Sequence, residues 1–194
     1  MQAPQSKAEW RAALRGARRN RTPEQNDGTA IAEHVMDLEP IRDACAAGRP
    51  IACYASRPEE PPTGELRQAL REAGAIVLLP RVNGEELVWS VDDPTVAMHT
   101  NSWNIAEPVG EATDLEPAAW VIPGLSIDQD GYRLGQGGGF YDRALQDLPH
   151  DGRGPIIAVV FEAEIVPQLP REQHDLPVDI AVTPQRVRWL AMPD

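Results

Sequence analysis

The sequence predicts an α/β fold with a mostly parallel central sheet. Short apolar runs alternate with helical patterns along the chain, as they do in strand–helix–strand units. The chain has 194 residues, of which 42% are hydrophobic, and this is enough to bury a core. Because no repeat or linker divides it, we expect a single domain spanning residues 1–194.

Helices dominate the first quarter of the chain. Residues 5–20 predict an amphipathic helix. Its apolar stripe comprises Trp10, Ala13, Leu14 and Ala17. A basic stripe beside it comprises Lys7, Arg11, Arg15 and Arg18. Thr22 followed by Pro23 predicts the start of a second helix that extends to about Ala46, with a break near Pro40.

Most of the later elements are strands. We expect strands at 50–56, 75–82, 86–91, 118–128, 155–162, 179–184 and 187–191. Helices are expected at 64–73 and 139–148. Asn83-Gly84 predicts a hairpin turn, and residues 92–117, rich in Pro and Asp, predict irregular structure.

Charge and composition exclude several classes of function. The net charge of −12 argues against a nucleic-acid partner, because phosphate backbones repel such a surface. No apolar run is long enough to cross a bilayer, and the polar, basic N-terminus has no secretory pattern. Cys45 and Cys53 lack metal-site spacing and are interpreted as buried structural thiols, so we expect a cytoplasmic protein.

The most informative segment is the glycine-rich loop between Asp130 and Arg143, which holds five glycines between a predicted strand and a helix. Glycines let the backbone approach a ligand closely, and the N–H groups that open a helix suit a phosphate. Asp142 is a hard oxygen ligand of the kind that Mg²⁺ accepts beside phosphates. The spacing is neither that of a Walker A loop nor that of a dinucleotide fingerprint. From the residues alone, the loop is an anion site, with an ordinary turn as the alternative.

The loop also carries a family resemblance. RLGQGGGFYDR, preceded by PGLSIDQDGY, resembles the signature of the 5-formyltetrahydrofolate cyclo-ligases (5,10-methenyltetrahydrofolate synthetases). Further matches occur in collinear order over about residues 7–184: Lys7 with Arg11, the loosely matching Pro58–Thr63, Leu79–Arg81, Trp103–Pro108 and His174–Thr183.

This resemblance implies a three-layer sandwich of the type shared with sugar-phosphate isomerases and coenzyme A transferases. It implies ATP-dependent cyclisation of 5-formyltetrahydrofolate to the 5,10-methenyl form, with Mg²⁺, by a monomer or homodimer. The implied ATP-binding residues are Lys7, Arg11, Arg133, Leu134, Gly135, Gln136, Gly137, Gly138, Gly139, Phe140 and Tyr141. The implied folate-binding residues are Ala55, Glu60, Trp103 and the loop positions Gln136, Gly137, Gly138, Gly139 and Phe140. The implied catalytic residues are Lys7, Arg133 and Asp142, and the implied metal ligands are Asp142 and Asp179.

Other interpretations stay open at this point. Glu59 competes with Glu60 for the folate contact, because the loop departs from the family pattern there. His174 with Asp175 reads either as a catalytic dyad or, as we favour, as loop packing. The fold alone is also compatible with a sugar-phosphate- or nucleotide-binding sensor module, or with a homologue that binds folate or ATP without turnover.

Overall fold

The computed structural model describes residues 6–22, 24–101, 105–146, 148, 153–172 and 175–190. Its helices are α1 (Lys7–Arg19), α2 (Asp27–Met36), α3 (Glu39–Ala46), α4 (Gly64–Glu72) and α5 (Phe140–Gln146). Its strands are β1 (Pro50–Ala52), β2 (Ile76–Asn83), β3 (Glu86–Val91), β4 (His99–Thr100), β5 (Ala106–Glu107), β6 (Trp120–Pro123), β7 (Ser126–Asp128), β8 (Arg133–Leu134), β9 (Ile156–Val159), β10 (Ile165–Val166), β11 (Ile180–Val182) and β12 (Val187–Trp189). A 3-10 turn spans Glu162–Glu164.

A seven-stranded sheet organises the molecule in the order β12-β11-β9-β6-β1-β2-β3. The five inner strands are parallel, and only the edge strands β12 and β3 pair antiparallel with their neighbours. The predicted mostly parallel sheet is therefore confirmed. Two smaller sheets, β10-β7-β8 and β4-β5, lie outside it.

Alternate residues of the inner strands enter two separate cores, as the period of a strand requires. Ile51, Val121 and Ile157 pack with buried residues of α2, α3 and α4 on one face. Ala52, Ile122 and Ala158 pack on the other face with side chains of α5, β7 and β10. Both faces are covered, which gives the three layers of the predicted sandwich.

Several expected elements have other bounds in the structure: the strand at 50–56 is Pro50–Ala52, that at 155–162 is Ile156–Val159, and the region 92–117 contains β4 and β5. Two further differences have a physical reason. The helix expected from Thr22 begins at Asp27, whose carboxylate lies in the first turn and binds Arg21 at 2.7 Å. The apolar run 118–128 is two strands, because the chain leaves the large sheet at Gly124 and β7 joins the three-stranded sheet.

The remaining expectations concern the thiols and the membrane. Cys45 and Cys53 are free and buried, as predicted. Within the described ranges, no helix has the length and apolar character that a membrane span requires.

Candidate functional site

A cleft of about 940 Å³ opens at the carboxyl ends of β1, β2 and β6, the edge at which ligands bind in parallel α/β sheets. Two sets of side chains line it. We call the first the basic wall: Lys7, Arg11 and Arg15 of α1, with Arg133 and the glycine-rich loop. We call the second the apolar wall: Ala55, Pro80, Val82, Leu87 and Ile105.

Helix α1 supplies Lys7, Arg11 and Arg15 to the basic wall. Ser6 caps it, since its Oγ accepts from Glu9 N while the Glu9 carboxylate accepts from Ser6 N. The face turned to the protein holds Leu14 and Arg18, which are buried, whereas the predicted stripe residues Ala13 and Ala17 are exposed. Alanine gains little from burial, so the larger side chains decide which face packs.

Arg18 anchors this helix. Its guanidinium meets the Glu164 carboxylate through two hydrogen bonds of 2.6 and 2.8 Å, and it donates a third, of 2.6 Å, to Gly124 O. Gly124 lines the cleft, so the anchor ties α1 to the cleft floor. The sequence placed Arg18 on the basic stripe without indicating that it is buried; the charge can be buried here because a carboxylate 146 residues away neutralises it.

Arg11 and Arg15 hold the glycine-rich loop from outside. Arg11 Nε donates to Gly135 O at 3.0 Å. Arg15 donates to the side chain and the main chain of Gln136 at 3.0 and 2.6 Å. The loop and α1 therefore form one basic surface rather than two separate anion sites.

Lys7 lies between two carboxylates. Its Nζ is 2.7 Å from Asp175 and 2.9 Å from Glu172, and all three residues line the cleft. Burial opposes the positive charge, but the hydrogen bonds to Asp175 and Glu172 outweigh it and raise the pKa of Lys7 above its usual value. The ammonium is thus charged and held at the mouth of the basic wall.

The loop backbone needs glycine at two of its three consecutive glycines. Gly137 and Gly139 have φ angles of +105° and +66°, in the region that side chains disfavour. A Cβ at Gly139 would also lie 2.7 Å from the Arg143 guanidinium. Glycine is therefore required by the course of the chain here, as the loop prediction assumed.

Arg133 and Asp142 face each other across the loop. Arg133 is buried, and its guanidinium binds the Asp142 carboxylate at 2.7 Å. It also donates to Pro123 O at 3.3 Å, at the end of β6. The predicted catalytic residues Lys7, Arg133 and Asp142 all line the one cleft.

Three polar side chains, those of Glu60, Tyr54 and Tyr141, also line the cleft. Glu60 is half-buried and lines the cleft, whereas Glu59 is exposed and does not, which favours Glu60 of the two candidates. Burial, with the nearby Glu60 carboxylate, raises the pKa of Tyr54 well above its usual value and also raises the pKa of Tyr141. Both phenols therefore stay protonated and can act only as neutral hydrogen-bonding groups. Ala55 lies where a flat ring could pack.

Asp179 lies elsewhere. Its carboxylate binds Arg153 at 2.6 and 3.0 Å and accepts from Ile156 N at 2.7 Å. Ile156 begins β9, so this cluster lies at the amino ends of the strands, about 10 Å along the sheet from the carboxyl ends. The structure does not bring Asp179 and Asp142 together, and this corrects the expectation of a shared metal site.

Asp175, for which the sequence interpretation favoured only a loop-packing role, lines the cleft. It packs its own loop, as predicted, by accepting from Glu172 N at 2.6 Å, but it also pairs with Lys7. Trp103 and His174 lie outside the described residues, so the predictions for them stay predictions.

Comparison with known proteins gives matches over most of the chain. A model of the 5-formyltetrahydrofolate cyclo-ligase family matches residues 3–184. A 5-formyltetrahydrofolate cyclo-ligase from Mycolicibacterium smegmatis is 30% identical, with 95% of this chain and 96% of that one covered. One from Escherichia coli K12 is 31% identical, with 90% and 98% covered.

Two solved structures have a similar fold. The 5,10-methenyltetrahydrofolate synthetase of Aquifex aeolicus superposes with a TM-score of 0.76 at 27% identity, over 97% of this chain and 94% of that one. The 5,10-methenyltetrahydrofolate synthetase of Mycoplasma pneumoniae shares the fold, with a TM-score of 0.69 at 17% identity over 93% and 99% of the two chains.

Proposed function

This chain belongs to the 5-formyltetrahydrofolate cyclo-ligase family, and on that premise we propose that it converts 5-formyltetrahydrofolate to 5,10-methenyltetrahydrofolate while ATP becomes ADP and phosphate. The observation that carries the proposal is the cleft with two chemically different walls. A triphosphate needs cations and backbone donors, and a folate needs a flat apolar surface. The basic and apolar walls offer these two environments in one cavity.

The chemistry needs an activated formyl group, because the N5-formyl amide is a poor electrophile. Its oxygen attacks the γ-phosphorus of ATP, the bond from that phosphorus to the β–γ bridging oxygen breaks, and ADP leaves. N10 then attacks the formyl carbon, phosphate leaves with the former formyl oxygen, and N10 loses its proton as the ring closes. The only groups that the protein must supply are those that orient the two substrates and stabilise the negative charge on the phosphates.

The basic wall performs that task. Lys7, Arg11 and Arg133 line the cleft together with the loop, and charges that are fixed before the reaction stabilise the developing charge on a phosphate. Lys7 and Arg133 are each held by a carboxylate, Asp175 and Asp142, at 2.7 Å. These pairs keep the cations in place before a nucleotide binds.

The same two carboxylates fit Mg²⁺. Oxygen ligands are what this ion accepts, and it commonly takes one or two carboxylates together with substrate phosphates and water. Within the described ranges, no three His, Cys, Asp or Glu side chains form a metal cluster. We propose Asp142 and Asp175 as the protein ligands. Mg²⁺ would neutralise phosphate charge there, and Lys7 and Arg133 would move from the carboxylates to the phosphates.

The experiment is direct. Purified protein is incubated with 5-formyltetrahydrofolate and MgATP, and the methenyl absorbance, ADP and phosphate are measured together. We expect the three products in equal amounts. Formation of AMP and pyrophosphate, or of product without ATP, would contradict the mechanism. Binding of both ligands with no product would indicate the non-catalytic homologue.

We further propose that the chain works in the cytoplasm, as a monomer or homodimer. The two free, buried thiols suit a reducing compartment.

A further inference from the structure

One cation of the cleft stands apart from the rest. Six basic side chains line the cavity: Lys7, Arg11, Arg15, Arg57, Arg133 and Arg143. Five of their head groups bind protein atoms in or beside the basic wall or, for Arg143, the carbonyl of Glu85. The guanidinium of Arg57 makes no hydrogen bond or ion pair with any residue that the structure describes.

Arg57 is nevertheless held in place through its backbone. Its N–H donates to the Glu60 carboxylate at 3.0 Å. The loop that carries it is closed at its base, where Ser56 and Thr63 exchange backbone-to-hydroxyl hydrogen bonds of 3.2 and 3.3 Å. Thr63 Oγ1 also donates to Tyr54 O at 2.6 Å. A half-buried cation on a fixed loop has lost chain entropy before any ligand arrives, which favours a binding role.

The position of Arg57 suggests what it binds. It follows β1 and is two residues from Ala55 of the apolar wall. The substrate of the proposed reaction carries, in order, a flat pterin, a flat benzoyl ring and a glutamate with two carboxylates. This order matches the apolar wall followed by Arg57. Guanidinium and carboxylate form two parallel hydrogen bonds.

We propose that Arg57 binds a carboxylate of the glutamate portion of 5-formyltetrahydrofolate and thereby distinguishes folates from pteridines that lack this portion. The inference rests on the proposed function. The other five cations lie with the glycine-rich loop and its neighbours, so the triphosphate is served without Arg57.

The test compares two substrates, 5-formyltetrahydrofolate and 5-formyltetrahydropteroate, which lacks the glutamate. The variants are Arg57→Gln, Arg57→Lys and, as a control for net charge, Arg19→Gln. Arg19 is exposed on α1 and does not line the cleft. KM is measured for each substrate at saturating MgATP and for ATP at saturating folate. Calorimetric Kd values give the same comparison for any variant that loses turnover.

We expect Arg57→Gln to raise KM for the folate by about 10-fold or more and to leave KM for the pteroate and for ATP unchanged. Arg57→Lys should give a KM for the folate between those of wild type and Arg57→Gln, because lysine keeps the positive charge but cannot form two parallel hydrogen bonds. Arg19→Gln should match wild type. An equal rise for both substrates, a rise confined to ATP, or no change would each overturn the inference. A wild-type protein that turns over neither substrate overturns the proposed function and this inference with it.

Discussion

Glu164→Gln should destabilise the protein far more than its conservative chemistry suggests. Three donors converge on the Glu164 carboxylate: Arg18 Nε at 2.6 Å, an Arg18 terminal nitrogen at 2.8 Å and Phe161 N at 2.8 Å. The side chains of Glu164 and Arg18 are 7% and 3% exposed. An amide has only one oxygen, so its NH₂ group must face one of these donors, and Arg18 keeps a buried charge without a counter-ion.

The magnitude follows from that burial. Removing one partner of a buried ion pair costs about 3–5 kcal/mol. For a chain of this length, each 1 kcal/mol lowers Tm by about 2–4 °C, so we expect a fall of roughly 6–20 °C. Arg18 has one further buried nitrogen without a hydrogen bond partner among the described residues, so little in the pocket can compensate. Because α1 carries Lys7 and Arg11, KM for ATP should rise as well.

The measurement is urea unfolding followed by circular dichroism. The matched control is Glu162→Gln, two residues away in the same 3-10 turn. Glu162 pairs with Arg186, and their side chains are 33% and 56% exposed, so this change should cost within about 1 kcal/mol. Replacing both Arg18 by Met and Glu164 by Leu should recover part of the loss, because no unpaired charge stays buried while Phe161 N and Gly124 O lose their side-chain partners. If Glu164→Gln destabilises no more than Glu162→Gln, the buried pair does not anchor α1 and the reasoning fails.

Three further outcomes are expected. Lys7→Arg should fold normally yet lower kcat/KM for ATP by about 100-fold, since a planar guanidinium does not replace a compact ammonium between carboxylate and phosphate; activity equal to that of an Arg19→Lys control would remove Lys7 from the site. Asp142→Asn should lower kcat by about 100-fold and raise the Mg²⁺ concentration for half-maximal rate, and an unchanged Mg²⁺ dependence would make Asp142 structural. Because their pKa values are raised in the folded state, Tyr54 and Tyr141 hold protons that the unfolded chain releases above pH ~10. Their contribution to stability is complete below that pH and is lost as pH rises, and the absorbance of these two tyrosinates should appear together with unfolding; ionisation of Tyr54 and Tyr141 in the native state near pH ~10 would refute this.

Local pattern predicted much of this structure. The helix at α1, the hairpin at Asn83-Gly84 and the alternation of strands and helices follow from periodicity and turn chemistry, and all are present. The glycine-rich loop was predictable because Gly137 and Gly139 meet a backbone requirement that few other residues satisfy.

Long-range pairing was not predictable from the same patterns. No residue near Arg18 in the sequence indicates its pairing with Glu164, so the basic stripe gave no sign that this arginine is buried. The position of Asp179 did have a local signal. Asp179 directly precedes a strand of a parallel sheet, so it had to lie at the amino ends of the strands, away from the cleft.

The packing of α1 has a consequence for how the molecule opens. The contacts of Trp10 and Leu14 are with Leu125, Leu134 and Leu169, a small cluster separate from both cores of the large sheet. A helix held by so few apolar contacts, with ion pairs and hydrogen bonds making up the rest, forms its own cooperative unit, so its amides should exchange with solvent through local detachment rather than global unfolding. A nucleotide that joins α1 to the glycine-rich loop would oppose this detachment. Occupancy of the cleft would then be readable as slowed hydrogen exchange along the first helix, even where no chemistry takes place.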